Sequence, residues 1–171
     1  MLALHDNPGQ TLAGETPTTS IRQQIMSAVT TALTAIVAGA TYVSTVAQVS
    51  ESLPEGPVEH IDPKDVPACF PIDADELRSP ALVGDDEDNM EGRLTVLVTC
   101  VVYSATNSTR QARNDLMRDV EKALLNDSSL AALILDIEPA RVTTDKGVIP
   151  NFSVWDQEFL VSYRYNRADG G

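Results

Sequence analysis

Basic side chains are scarce in this chain, and so are most of the groups from which active sites are built. Twelve Lys and Arg face 25 Asp and Glu, leaving a formal net charge of −13. A free nucleic-acid binder needs a basic stripe that displaces counterions from phosphate. Here the cations are scattered, with local density only at Arg110, Arg113, Arg118 and Lys122. An acidic body also repels DNA and anionic membranes. Histidine is limited to His5 and His60, and cysteine to Cys69 and Cys100. These four lack metal-site spacing. The cysteines sit in apolar, strand-like runs, which fits two buried free thiols in a reducing compartment; a disulfide between neighbouring strands is the alternative.

Motifs that carry chemistry are missing as well. The sequence has no phosphate loop, dinucleotide fingerprint, nucleophile elbow or zinc-protease helix. Asp75 and Glu76 are adjacent carboxylates without a histidine or an apolar setting, a poor basis for acid–base work. His60 stands alone in a Pro-rich stretch and reads as solvent-exposed. Met1-Leu-Ala-Leu4 has neither the basic start nor the apolar run of a secretory signal. Residues 23–50 carry no charge, but Ser27, Thr30, Thr31 and Thr34 dilute that stretch and Gly39 interrupts it. A helix followed by a strand explains it better than a membrane span. On these grounds no enzyme, cofactor or metal site is expected, and no membrane partner.

What the chain does have is enough apolar content, 43%, to build a core, within a length of 171 residues that suits one domain. Residues 1–17, with Pro8, Gly9, Gly14 and Pro17, read as an extended arm that wraps a neighbour, and residues 168–171 as a flexible end. Between them, residues 18–167 read as a single α+β domain. Ser20 offers an N-cap, and Ile21, Ile25, Val29, Leu33 and Ile36 recur at helical spacing, which predicts a helix over 20–37. Strands follow at 42–49 and around Ala68, Phe70 and Ile72, the second confined to an edge by Pro67 and Pro71. Leu94, Val96, Val98, Cys100 and Val102 define a central strand over 93–103. A second helix, 108–126, carries the stripe Ala112, Leu116, Val120 and Leu124. Residues 130–133 add a turn, and strands at 135–142 (broken near Pro139) and 154–165 complete the order α-β-β-β-α-β-β. In the last strand Trp155, Phe159, Val161, Tyr163 and Tyr165 share one face. No basic residue interleaves there, which argues against a base-stacking surface. An antiparallel-rich sheet of about five strands with both helices on one face satisfies this order.

Two features invite a functional reading. Residues 73–92 form an acidic insertion in which Asp73, Asp75, Glu76, Asp85, Asp86, Glu87, Asp88 and Glu91 face a single Arg78. It reads as a solvated hairpin loop or as an acidic lining or docking surface. Residues 85–88 lack the alternating ligands and glycine of an EF-hand. In the second helix, Arg110 and Arg113 stand in the first turns, where the helix dipole prefers acids. Either Asp115 and Asp119 offset them on a solvated face, or the arginines, with Arg118, meet acids of a neighbouring copy.

The segment from Arg110 to Asp127, Arg-Gln-Ala-Arg-Asn-Asp-Leu-Met-Arg-Asp-Val-Glu-Lys-Ala-Leu-Leu-Asn-Asp, resembles the central helix of tailed-bacteriophage tail-terminator and tail-completion proteins. There such a helix follows a long strand and precedes a short leucine–loop–aspartate segment, here 130–136. The ending Phe159-Leu-Val-Ser-Tyr-Arg-Tyr165 is similar to their closing strand, and Ile21-Arg-Gln-Gln-Ile25 to their opening helix. The acidic insertion and the N-terminal arm depart from the compact family pattern. The resemblance covers about residues 18–167. It implies a hexameric ring at the head-proximal end of a tail tube, in the neck of a virion assembled in the host cytoplasm. Such a ring stops tube polymerisation, meets the tail tube protein on one side and the head connector or stopper on the other, and lets DNA pass through its lumen. A head-completion (stopper) protein is the neighbouring alternative within this class. From a different class, a small-molecule-binding module would place a deep pocket near Trp155 and Phe159, and an enzyme would require metal chemistry in the 73–92 segment.

Overall fold

The computed structural model describes residues 19–81, 89–105, 109–146 and 149–167. The expected arm at 1–17, the end at 168–171 and the acids at 85–88 lie outside them. Helix α1 (Ile21–Thr34) opens where the Ser20 hydroxyl accepts the Gln23 N–H at 3.3 Å, as an N-cap does. Gln24 rather than Gln23 reaches back, donating to the Thr19 carbonyl at 2.8 Å. Ile25, Val29, Ala32 and Leu33 are buried on one side of the helix. The helix ends at Thr34, three residues short of the expected 37, because Ile36 leaves the helical path and drops into the core.

The expected strand at 42–49 shrinks to β1 (Gln48–Val49), which runs parallel to the start of β2 (Ala68–Pro80). Residues 36–46 instead form a loop with its own hydrogen bonds. In it Gly39 N–H reaches the Tyr42 carbonyl at 2.9 Å, and Val46 N–H the Ile36 carbonyl at 3.0 Å. Between β1 and β2 the chain makes two short 3-10 turns, Val58–His60 and Pro63–Asp65.

β2 pairs antiparallel with β3 (Asn89–Tyr103), and this long hairpin corrects the loop expected over 73–92. Residues 73–80 and 89–92 are strand, with a bulge between Asp73 and Glu76. Pro80, Gly84 and Gly92 in an acidic run predict a loop, but exposed sheet positions tolerate charge when cross-strand and cross-element partners are at hand. Helix α2 (Thr109–Asn126) follows, then a single turn α3 (Ser128–Ala131) capped by Asp127, whose carboxylate accepts the Leu130 N–H at 2.7 Å. β4 (Asp136–Thr144) carries a bulge between Pro139 and Arg141, where a proline break was expected. β5 (Phe152–Asn166) lies between β3 and β4.

The sheet order is β1-β2-β3-β5-β4, antiparallel except for the β1–β2 pair. The fold is α+β, and the described residues form three α-helices and a mixed five-stranded sheet. The main core lies between the helices and the inner face of the sheet. Leu94, Val96, Val98, Cys100 and Val102 of β3 meet Trp155, Phe159, Val161 and Tyr163 of β5, α1, α2 and Leu130 of α3. Each fully buried side chain of this size contributes about 1.5–3 kcal/mol relative to exposure. A smaller core on the outer face, built on Ala68, Phe70, Val101 and Phe152, is covered by Val58, Ile61 and Val66. Cys69 and Cys100 are register partners in the β2–β3 hairpin, both buried as free thiols with sulfurs 3.7 Å apart. No helix among the described residues is long and apolar enough to cross a membrane.

Candidate functional site

The acidic hairpin folds much of its charge back onto the domain. Register places Glu76 opposite Leu94 on the inner face, at the rim of the core. Its side chain is only 6% exposed and receives the Arg22 guanidinium at 3.0 Å, the Arg78 guanidinium at 2.5 Å and the Tyr163 hydroxyl at 2.6 Å. Arg22 also binds Asp73 at 2.5 Å, tying α1 to β2. Burial pushes the Glu76 carboxyl up, but the hydrogen bonds from Arg78 and Tyr163 and the charges of Arg78 and Arg22 together hold it below its ordinary value. Burial, then the hydrogen bond to Glu76, pushes the Tyr163 hydroxyl well above its own. Gly92 makes this arrangement fit. A Cβ there would lie 2.5 Å from the Tyr163 ring, so the ring rests on bare backbone. Glu91 in turn accepts Arg164 at 2.9 Å. Three of the acids singled out in the sequence, Asp73, Glu76 and Glu91, thus have cationic partners within the domain. Asp75 is exposed, and Asp85, Asp86, Glu87 and Asp88 lie outside the described residues.

On α2 the three arginines separate in role. Arg118 lies 3.6 Å from Asp115 and 4.0 Å from Asp119, weak pairs for a side chain that is largely exposed. Among the described residues Arg110 and Arg113 form no ion pair, and the Nε of Arg113 is buried without a hydrogen-bond partner. The acids expected to offset them are engaged elsewhere: Asp115 takes Gln111 and Arg118, and Asp119 turns inward.

On a solvated face Asp119 would offset the arginines; it is instead 1% exposed. Its Oδ2 accepts the backbone N–H of Val43 at 2.9 Å and of Ser44 at 2.7 Å. One turn on, Lys122 donates to the Thr41 carbonyl at 2.8 Å and lies 5.9 Å above the Tyr42 ring. α2 therefore clasps the loop that follows α1. The sequence signal was available, since Asp119 falls beside Leu116 and Val120 in the apolar stripe, where an unpaired acid is costly. Gln157 was missed in the same way. It stands among the inward residues of β5, accepts the Trp155 indole N–H at 3.3 Å and donates to the Met117 carbonyl at 3.2 Å and to Glu121 at 3.3 Å.

The clasped loop presents apolar side chains to solvent, with Val37 59% and Val43 58% exposed. A second apolar surface lies on the outer face of the sheet, beyond the reach of the 58–66 segment. Ile72 pairs with Leu97, Thr95 with Leu160, and Leu77 with Arg93, and none of these apolar residues joins either core cluster. Leu77 is 74% exposed. The edges of the sheet are guarded. β4 carries Asp136, Glu138, Pro139, Arg141 and a bulge, and the free part of β2 carries Pro71, Pro80 and a bulge. Such devices discourage strand addition.

Trp155 and Phe159 are packed into the core, so the pocket that a ligand-binding module would place there is filled by protein. A broad groove of about 1160 Å³ runs instead along α1, lined by Arg22, Gln23, Ser27, Thr31 and Asp73. No group of three or more His, Cys, Asp or Glu able to hold a metal occurs among the described residues.

No protein-family model matches the chain, and no curated protein does. Among solved structures, a chain from the virion of a native gene transfer agent particle aligns over 86% of this chain and 100% of its own length. The two share 12% identity with a TM-score of 0.44, a likeness too shallow to argue function from.

Proposed function

We propose that this chain is a non-enzymatic structural protein of a phage virion. It forms a ring, six copies in the family it resembles, at the head-proximal end of a tail tube, where it stops polymerisation and joins tail to head connector while DNA passes through the lumen. The observation that carries this reading is the order of elements. An opening helix, a long strand, the central helix α2 bearing residues 110–126, a short leucine-containing turn and a closing strand follow one another, which is the order that the resemblance to tail terminators implies. The surfaces support it. Arg110 and Arg113 are cations without a partner among the described residues of an acidic chain, placed to meet a neighbour's acids. Asp75 and the acids at 85–88 remain the candidates for a lumen lining that repels DNA phosphate or for a face that meets a neck protein. The arm at 1–17 is assigned to wrapping a neighbour.

The test is functional. The purified chain is added to polymerising tube protein of the same virion, and tube lengths are measured by electron microscopy. Shorter tubes with extra density at one end support termination. An unchanged length distribution with bare ends contradicts it.

A further inference from the structure

We infer that the loop of residues 35–47 is the head-to-tail contact of the assembly, seated on the open outer sheet face of a second copy of this chain, around Ile72, Leu77, Leu97 and Leu160. This deepens the ring reading and rests on it.

Four observations converge. First, the loop lies within the charge-free stretch 23–50 of a chain with net charge −13. Copies of so acidic a protein repel, and they approach best where charge is lowest. Second, the loop is held in shape before any partner arrives. The Asp119 carboxylate binds two of its backbone N–H groups, Lys122 binds its Thr41 carbonyl, and Thr45 accepts the Ala38 N–H at 2.9 Å. A loop fixed in this way loses little entropy on docking, the condition that turns two exposed valines into an anchor. Third, the two apolar surfaces belong to opposite layers. The loop is clasped by α2 on the helical layer, whereas Ile72, Leu77, Leu97 and Leu160 point away from the helices. One chain cannot satisfy both with itself, and a contact of one surface with the other repeats in a single direction from copy to copy, as a closing ring requires. Fourth, two of the cations that flank the outer patch are already paired there, Arg93 with Glu138 at 4.0 Å and Arg164 with Glu91 at 2.9 Å, and Glu158, the register partner of Leu97, stands opposite Arg141 on the β4 side. An uncharged loop seated toward Ile72 and Leu77 therefore leaves these charges at the rim. The guarded edges of β2 and β4 leave this face as the sheet's route to a neighbour.

The test uses the full chain with a photo-activated benzophenone amino acid in place of Val43, with native mass measured in parallel, with and without tube protein. The expected product is a cross-linked dimer whose second peptide comes from β2, β3 or β5 and contains Leu77, Leu97 or Leu160. If the chain assembles but cross-links elsewhere, or to tube protein alone, the loop contact is overturned and the ring stands. If no assembly forms under either condition, both fall. Val43→Gln gives a second readout. Val43 is 58% exposed and glutamine adds no charge beside the Asp119 carboxylate, so the variant keeps the wild-type melting temperature, and its assembly weakens about 10-fold. Assembly at wild-type concentration in that folded variant overturns the contact.

Discussion

Replacing Asp119 with alanine removes the only side-chain anchor that the described residues give to the Val43 and Ser44 amides. Each of these hydrogen bonds involves a charged acceptor, a class that contributes about 1.5–3 kcal/mol, and a buried N–H left without a partner costs about 1–3 kcal/mol. Loop relaxation toward water recovers part of that, because Thr41, Val43 and Thr45 already border solvent. The net expectation for Asp119→Ala is a loss of about 2–4 kcal/mol, and for Asp119→Asn, which keeps one acceptor oxygen, about 1–2 kcal/mol. For a domain of this size the alanine variant then melts about 5–15 °C lower. Urea unfolding gives the energies, and hydrogen exchange at the Val43 and Ser44 amides gives the location. Exchange at these two sites should accelerate in Asp119→Ala while the β3 and β5 amides fall only by the global loss. An alanine variant within about 0.5 kcal/mol of wild type, or with unchanged protection at 43 and 44, would refute the clasp.

Other expectations follow from the same geometry. Gly92→Ala forces a methyl group into the Tyr163 ring and breaks its hydrogen bond to Glu76, costing about 1–3 kcal/mol in urea unfolding, whereas a neutral result would mean the ring moves freely. Glu76 is held below its ordinary carboxyl value of 4.5, so its stabilisation is complete above that pH and is lost as pH falls through the lower folded value. Glu76→Gln should therefore flatten the acid limb of a stability–pH curve, and an identical limb would count against the cluster. Burial raises the Cys100 thiol well above its ordinary range, and Cys69 is itself shielded from solvent, so neither should react with a disulfide reagent until the chain unfolds; labelling at the rate of a free thiol would contradict their burial. Arg110→Glu with Arg113→Glu should block assembly while leaving the circular dichroism spectrum unchanged, and normal assembly would end their interface role. Deleting residues 1–17 should weaken assembly without unfolding the domain, and undiminished assembly would refute the wrapping arm.

Periodicity carried most of the fold. The stripe through Ile25, Val29 and Leu33, the alternation from Leu94 to Val102 and the face led by Trp155 each set an element and the side it buries. The errors fell where tertiary partners override local preference. Residues 42–46 look like a strand, yet their polar backbone is satisfied by Asp119 and by the loop itself. Residues 73–80 look like a loop, yet Arg22, Tyr163 and the facing strand make them the arm of a hairpin. Gln157 and Asp119 are polar residues at apolar positions, and single-sequence reading assigns such residues to solvent unless the stripe around them is taken literally. The candidate surfaces were only half legible. Composition exposed the acids, and helix position singled out Arg110 and Arg113 while leaving their partners open. Neither gave a sign that Glu76 is an internal ion-pair partner, or that an uncharged loop would be clasped in place by a buried carboxylate.

The measurement that bears most directly on the ring is the mass of the purified full chain by native mass spectrometry, with negative-stain images, alone and with tube protein. A closed ring near six copies with a central hole, formed alone or templated by the tube, is the expected result. A chain that stays monomeric under both conditions would contradict the ring.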